Sequence, residues 1–499
     1  MNTFMNGLVN ANNFGLTENG AVKHNTTKSA VLDMFALCGS YRNRSDADCI
    51  LAFKNAIEEN ETLALKCLFY VRDIRGGQGE RRFFRVCFRW LANARPEAAR
   101  RNLINVSEYG RWDDLIYSCF DTKVEEDAFA IIKHQLALDV ECKTPSLLAK
   151  WMPSENASAR DTKRMGGIMR EYLGMSHKQY RQMLSVLRSR INIVEKLMSE
   201  GRWDEIEFDK IPSKAGLMYK NAFARRDIIA KKYEAFAKSK DTKVNAKTLY
   251  PYEIVQNAIR IPTYSPLDNV DRLMVNKYWE NLADYINGAA FNGIAIVDTS
   301  GSMCGSGYGN RTVAPIDVAI SIGMYCAEKN RGPYAGHFLT FNSQPKFMKV
   351  EGIDFCDKVS RILQAPWGGS TNIEAAFDLI LQIAIDNHCS SDEIPQNLII
   401  ISDMEFNSCA TSNGHGCLSA HSSLFEQMRA KWETYGYKMP KLVFWNVDAR
   451  QDNFAMKDEE NVSYVSGFSP VLFEQIMKGK TAQDLMYDKL NDKRYACIK

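Results

Sequence analysis

FNGIAIVDTSGSMC, running from Phe291 to Cys304, opens as a short apolar run, Ile294-Ala295-Ile296-Val297, bounded by Gly293 and Asp298. That length and β-branched content suit a strand buried on both faces of a parallel sheet. The run stops on Asp298-Thr299-Ser300-Gly301-Ser302, hard oxygen ligands at alternate positions with a glycine that lets the loop fold tightly. An open α/β sheet binds its ligand at the carboxyl ends of its strands, and carboxylate with hydroxyls suits Mg2+ better than zinc. The same five residues also read as a solvated turn with a serine cap on the next helix, and the pentad alone does not separate the two readings.

Two later segments separate them. Gly368-Gly369-Ser370-Thr371-Asn372 is a glycine-rich loop that opens an amphipathic helix and presents the Thr371 hydroxyl. Leu398-Ile399-Ile400-Ile401-Ser402-Asp403 is a second apolar strand that stops on a carboxylate. In this order the three segments resemble the metal-ion-dependent adhesion site of a von Willebrand factor A domain, and Asp298, Ser300, Ser302, Thr371 and Asp403 match all five positions of its motif. The resemblance implies Mg2+, or another divalent cation such as Mn2+, held directly by the serines and threonine and often through water by the aspartates. It also implies one coordination position left open for a partner's carboxylate.

At 499 residues the chain exceeds one ordinary core, so two or three domains are expected. A hydrophobic content of 45% and a charged content of 25% are those of a globular chain, and no apolar run reaches the ~20 residues of a membrane span. The N-terminus is polar and Asn/Gly-rich, without the pattern of a secretory signal. The 13 cysteines are scattered singly, with no C-x-x-C, and most sit in apolar helical patterns, which points to a reducing cytoplasm. The net charge of +3 is uneven: from Phe291 onward 24 acidic residues outweigh 19 basic ones, so the basic excess lies wholly in the first part. A modest basic balance there invites a nucleic-acid reading and is also common without one.

Residues 1–28 lack periodicity and read as a flexible arm. From residue 29 to about 285 the pattern is helical almost throughout, with short connections, as in a HEAT-like α-solenoid. Tyr109-Gly110-Arg111-Trp112-Asp113-Asp114-Leu115 recurs faintly as Glu200-Gly201-Arg202-Trp203-Asp204-Glu205-Ile206, a glycine helix end followed by an Arg-Trp-acidic turn, which reads as a structural device. Arg72-Asp73-Ile74-Arg75-Gly76-Gly77-Gln78-Gly79-Glu80-Arg81-Arg82 has two readings. In one, Arg72, Arg75, Arg81 and Arg82 make a phosphate-contacting corner; in the other, they pair with nearby acids across an interhelical turn. It lacks the G-K-[ST] ending of a P-loop. Two further basic stretches carry interleaved aromatics, Ser176-His177-Lys178-Gln179-Tyr180-Arg181 and Pro212-Ser213-Lys214-Ala215-Gly216-Leu217 running into Tyr219. Cations with aromatics suit single-stranded nucleic acid, and solvated helix faces look similar.

With these residues in view, the whole chain from about 30 to 495 resembles the TROVE proteins, the Ro autoantigen and its bacterial relatives. The S-H-K-x-x-R stretch at Ser176–Arg181 is similar to a stretch of the Ro ring helices. Arg72–Arg82, Ile211-Pro212-Ser213 and Leu249-Tyr250-Pro251-Tyr252-Glu253 together resemble still more an uncharacterised TROVE-like family of bacteria, phages, plants and fungi. The resemblance implies a helical-repeat module, in Ro a closed ring, followed by a doubly wound A-type domain. It implies binding of small non-coding or misfolded RNA, with His177, Lys178 and Arg181 along the RNA path. It also implies a protein partner that offers an acidic side chain to the metal. The expected division is residues 29–285 for the helical domain and 286–499 for the A-type domain.

Within the second part, a helix at Pro315–Lys329, a hairpin of Gly336–Phe341 with Pro345–Val350, helices at Phe355–Leu363 and Asn372–Asp386, and strands at Leu442–Val447 and Val462–Val465 make an alternating α/β pattern. Cys409, His415, Cys417 and His421 form a rival cluster for zinc, but C-x5-H-x-C-x3-H matches no common zinc module, and a rim loop is the alternative. No nucleophile elbow, H-E-x-x-H or matched Cys/His pair is present, so a binding protein is expected rather than an enzyme. Three functions remain: an RNA-binding scaffold, a metal-dependent protein–protein adaptor without RNA, and a nuclease or chelatase-like accessory.

Overall fold

The computed structural model describes residues 13–191, 193–286, 290–304, 313–364, 368–407, 424–455, 461–477 and 480–499. It forms two compact units, Met1–Ser45 with Ala237–Leu490, and Asp46–Phe236 with Asn491–Lys499. The units therefore do not divide at residue 285, where the change from helical to alternating sequence had placed the boundary. Residues 13–28 are also not a loose arm: strands β1 (Phe14–Leu16) and β2 (Val22–His24) pair antiparallel, and helix α1 (Ala30–Leu37) follows, capped by the Ser29 side chain.

The unit containing Asp46–Phe236 is helical. Its elements are α2 (Asp46–Glu59), α3 (Glu61–Arg72), α4 (Arg81–Ala94), α5 (Pro96–Tyr109), α6 (Trp112–Cys119), α7 (Glu125–Glu141), α8 (Leu148–Trp151), α9 (Arg160–Tyr172), α10 (His177–Arg190), α11 (Val194–Ser199), α12 (Ser213–Arg225) and α13 (Asp227–Lys238). In α4 the buried side chains Phe83, Phe84, Cys87, Phe88 and Leu91 repeat at helical spacing, and Glu80 caps the first turn through the Arg82 amide at 3.0 Å. Phe69 of α3 packs edge-on against Phe84, Phe88 and Tyr109, with centroids 5.3–6.2 Å apart.

The last nine residues complete this helical unit. Tyr495 stacks on Tyr109 with centroids 5.6 Å apart and donates its hydroxyl to Asp73 at 3.0 Å, while the Arg494 guanidinium takes both Asp73 oxygens. Burial alone would lift the Asp73 pKa, but Arg494 and the amides of Arg75 and Gly76 outweigh it and hold the carboxyl below the ordinary range. The resulting stabilisation is present at neutral pH and is lost as the pH falls below the usual aspartate value. Arg494→Ala leaves this buried carboxylate short of its cation and is expected to cost about 2 kcal/mol, read as a lower urea midpoint at pH 7. The deficit should shrink at pH 3.

The other unit is a doubly wound α/β domain. Helices α14 (Pro251–Ile259) and α15 (Val270–Glu280) lead into β3 (Gly293–Asp298). Then come α16 (Pro315–Lys329), β4 (His337–Phe341), β5 (Lys346–Lys349), α17 (Phe355–Leu363), α18 (Ile373–Asp386), β6 (Asn397–Ser402), α19 (Leu424–Thr434), β7 (Lys441–Asn446), β8 (Val462–Ser466), α20 (Phe473–Ile476) and α21 (Ala482–Leu490). The sheet order is β5-β4-β3-β6-β7-β8, parallel except for the β4–β5 hairpin, as the alternating pattern predicts. β3 is buried along its whole length, and so is β6 beyond Asn397. Adjacent residues of β7 serve opposite layers, Phe444 on Phe425 at 4.8 Å and Trp445 on Phe473 at 5.0 Å. Helices α14 and α15 belong here because α14 packs on α16 and α17, and Trp279 of α15 stacks on Phe355 at 4.1 Å. Helix α1 packs on β8, where the Gly39 amide donates to Ser466 Oγ at 3.1 Å.

Candidate functional site

Strands β3 and β6 are neighbours in register, Val297 beside Ile401, so their ends deliver Asp298 and Asp403 to the same edge of the sheet. Asp298 is fully buried. Its Oδ1 accepts the Ser300 amide at 2.9 Å and its Oδ2 accepts Ser402 Oγ at 2.5 Å. The Ser300 and Ser302 hydroxyls lie 3.0 Å apart, and Ser302 also hydrogen-bonds Asp403. The third loop is stapled to the first by Gly301 N to the Gly369 carbonyl at 3.2 Å and by Gly368 N to the Thr299 carbonyl at 2.8 Å. Gly368 and Gly369 both have φ near +95°, a conformation that only glycine adopts without strain. Thr371 is 3% exposed, and its carbonyl accepts the Asn407 amide from the loop after Asp403 at 3.1 Å. All five sequence-selected positions thus lie on three loops joined at one sheet edge.

The electrostatics of this edge are acidic and strained. Burial, and then repulsion from Asp403, push the Asp298 carboxyl up to about 7. Burial also raises Asp403, against the opposing pull of Arg450, which donates Nη2 to Asp403 Oδ2 at 2.7 Å. Two buried carboxylates beside three hydroxyls are hard oxygen donors in need of positive charge, which suits Mg2+ or Mn2+. Among the described residues no group of three or more His, Cys, Asp or Glu side chains is placed to hold a metal. A cation here would therefore depend on the hydroxyls. The Cys409, His415, Cys417 and His421 cluster lies outside the described residues.

Three residues beyond the five also reach this edge. Arg450 pairs through Nη1 with Glu18 at 2.9 Å, and Asn19 Nδ2 donates to Thr371 Oγ1 at 3.3 Å and to the Glu405 carbonyl at 2.5 Å. Arg450 stands four residues beyond β7, so its place at a strand end was a usable clue. Glu18 and Asn19 offered none, being at least 352 positions from these partners.

The basic candidates of the helical unit fare unequally. Arg72 is buried and donates to Asp114 through Nε at 2.8 Å and Nη2 at 2.6 Å, so it serves the interior rather than a phosphate. Arg75 pairs with Glu108 at 3.3 Å, Arg82 pairs with Asp46, and His177 Nδ1 lies 3.0 Å from Glu155. Arg81 and Lys178 are exposed, with no hydrogen-bond or ion-pair partner among the described residues. Lys214 is exposed in the first turn of α12, and Arg181 is exposed, donating Nε to the His177 carbonyl at 3.2 Å. Arg181 lines a cavity of about 610 Å3 with Lys150, Arg188 and Lys196, whose wall also carries Glu155 and Glu195. The Arg188 guanidinium there rests on neutral oxygens only, the Ala149 and Met152 carbonyls and Ser154 Oγ, so its charge is not cancelled.

Residues 17–117 and 146–289 match a domain of unknown function, DUF2828, and residues 292–495 match another, DUF7788. The crystal structure of the Deinococcus radiodurans RO (RSR) protein aligns with 93% of this chain and 99% of its own, at 13% identity and a TM-score of 0.42, too slight a likeness to argue from. Uncharacterized protein L728 of Acanthamoeba polyphaga mimivirus is 31% identical across 94% of this chain and 85% of the viral one. The chain, with DUF2828 in its first part and DUF7788 in its second, therefore belongs to one family with the mimivirus protein L728.

Proposed function

We propose that the chain is an RNA-binding scaffold, in which the helical unit takes small non-coding or misfolded RNA and the α/β unit recruits a protein partner through a bound Mg2+ or Mn2+. The observation that carries the metal half is the convergence of Asp298, Ser300, Ser302, Thr371 and Asp403, with two buried carboxylates raised by their surroundings. Ser300, Ser302 and Thr371 would hold the ion directly, and an acidic side chain of the partner would complete its shell. The set offers oxygen ligands for a cation and no activated nucleophile, so the reading is of binding, not catalysis, in a reducing cytoplasm where the buried thiols stay free. Among the described residues no helix is long and apolar enough to cross a membrane, and no membrane is invoked.

The RNA half rests on the resemblance at Ser176–Arg181 and on the exposure of Arg81, Lys178, Arg181 and Lys214. Labelled single-stranded RNA should bind at low salt and weaken steeply as salt rises. Lys178→Glu with Arg181→Glu should abolish binding at 0.15 M salt, and single neutral substitutions should each flatten the salt slope by about one unit. The competing reading, a metal-dependent protein–protein adaptor, is favoured by the pairing of Arg75, Arg82 and His177 with carboxylates. Absence of RNA binding at low salt would decide for it.

A further inference from the structure

The β1–β2 hairpin has a buried base and an exposed tip. At the base, His24 and Phe454 exchange both backbone hydrogen bonds at 2.9 and 3.0 Å, and Lys23 Nζ donates to Gln451 Oε1 at 3.1 Å and to the Asp452 carbonyl at 2.6 Å. Lys23 and His24 are 4% and 2% exposed, so this end is fixed. The tip lies along the loop that follows Asp403. Thr17 Oγ1 donates to the Phe406 carbonyl at 2.6 Å, the Glu18 amide donates to Glu405 Oε2 at 2.6 Å, and Gly20 bridges Asn407. Asn19 reaches the Thr371 hydroxyl. Arg450 then bridges two acids, Glu18 of the tip at 2.9 Å and Asp403 of the site at 2.7 Å.

We infer that this tip is an in-cis occupant of the side of the metal site on which a partner's acid would arrive, and that Arg450 is the guanidinium both acids compete for. Three observations point the same way. Asn19 holds one of the five oxygen ligands, Glu18 holds the cation nearest Asp403, and both side chains are exposed and so displaceable while the base stays anchored. A partner carboxylate gains the open coordination position and the Arg450 fork once Glu18 leaves it. The apparent affinity for that partner is then reduced by the fraction of time the tip is open. The inference rests on the metal reading of the site, and the experiment separates the two.

The test uses the full chain, Mn2+ as the metal and glutarate as the carboxylate probe. Wild type, Glu18→Gln and the double variant Glu18→Ala, Asn19→Ala are compared by the water-proton relaxation of bound Mn2+ and by its change on adding glutarate. Glu18→Gln alters one half-exposed side chain without changing its size, so it keeps the fold should the double variant lose it. The expected result is Mn2+ bound by all three chains, with more relaxing water in the variants. Glutarate should bind the double variant about tenfold more tightly than the wild type, the factor for a tip closed about nine-tenths of the time, with Glu18→Gln between. Equal glutarate affinity and equal relaxation in all three, with Mn2+ bound, overturns the inference and leaves the metal site standing. No Mn2+ bound by any chain overturns the metal reading and the inference together.

Discussion

The Asp298→Asn variant will melt higher than the wild type at pH 8 in EDTA, and it will lose the further rise that Mg2+ gives the wild type. Both outcomes follow from one buried carboxylate. Asp298 has no solvent access, faces Asp403, and holds its proton up to about 7 in the folded chain against 3.8 ordinarily. Such a group binds its proton more tightly folded than unfolded, so the metal-free chain loses stability as the pH rises from about 4 through 7. Asparagine keeps the acceptor for the Ser300 amide, and its Nδ2 can donate to the Ser402 hydroxyl, so the hydrogen bonds survive while the repulsion goes. Mg2+ supplies the missing charge in the wild type. At a hundredfold excess over Kd it adds about 2.7 kcal/mol, about 4 °C in Tm for a unit of this size. That increment should be larger at pH 8 than at pH 6, because proton and metal compete for the same oxygens. Calorimetric scans with Mg2+ and with EDTA at both pH values read all of this. A variant that melts lower than the wild type in EDTA, or keeps its Mg2+ increment, contradicts the account of the site.

Much of the α/β unit was legible because its strands are unbroken apolar runs that end on oxygen side chains. Ile294–Val297 and Leu398–Ile401 could be strands only if buried, and a buried parallel strand has its functional end at the carboxyl side. The helix at Pro315–Lys329 and the β4–β5 hairpin follow the sequence pattern to within a residue. What escaped was organisation that depends on distant partners. The β1 and β2 strands are three residues each, without alternation, and exist because the loops after β6 and β7 offer them backbone and carboxylate partners. Helices α14 and α15 read correctly as helices, but nothing in a helical period tells which core its apolar stripe will join. The same holds for Arg494 and Tyr495, whose place beside Asp73 spans more than 400 positions.

Asp114→Ala will cost the helical unit about 3–5 kcal/mol, while Glu205→Ala at the matching point of the second Gly-Arg-Trp motif will leave its stability nearly unchanged. The two stretches are alike in sequence and unlike in surroundings. Asp114 is fully buried and accepts Arg72 Nε and Nη2, Arg85 Nε at 2.6 Å and the Arg111 amide at 2.9 Å. The helices α3, α4 and α6 meet at this carboxylate, and a Cβ on Gly110 would lie 2.4 Å from it. Alanine there leaves Arg72, itself 1% exposed, as a buried cation without its acid, a loss of about 3–5 kcal/mol against a total of about 5–15 for a typical domain. Glu205 is exposed and its carboxylate joins Arg202 in solvent, and Gly201 ends its helix in the left-handed conformation that Gly110 does not use. Arg72→Met should cost less than Asp114→Ala, because Asp114 keeps Arg85 and the Arg111 amide while methionine fills the stem. Urea titrations of the three variants followed by far-UV circular dichroism will rank them. If Asp114→Ala and Glu205→Ala have the same midpoint, the motif is a surface turn in both copies and the ion cluster contributes nothing to the fold.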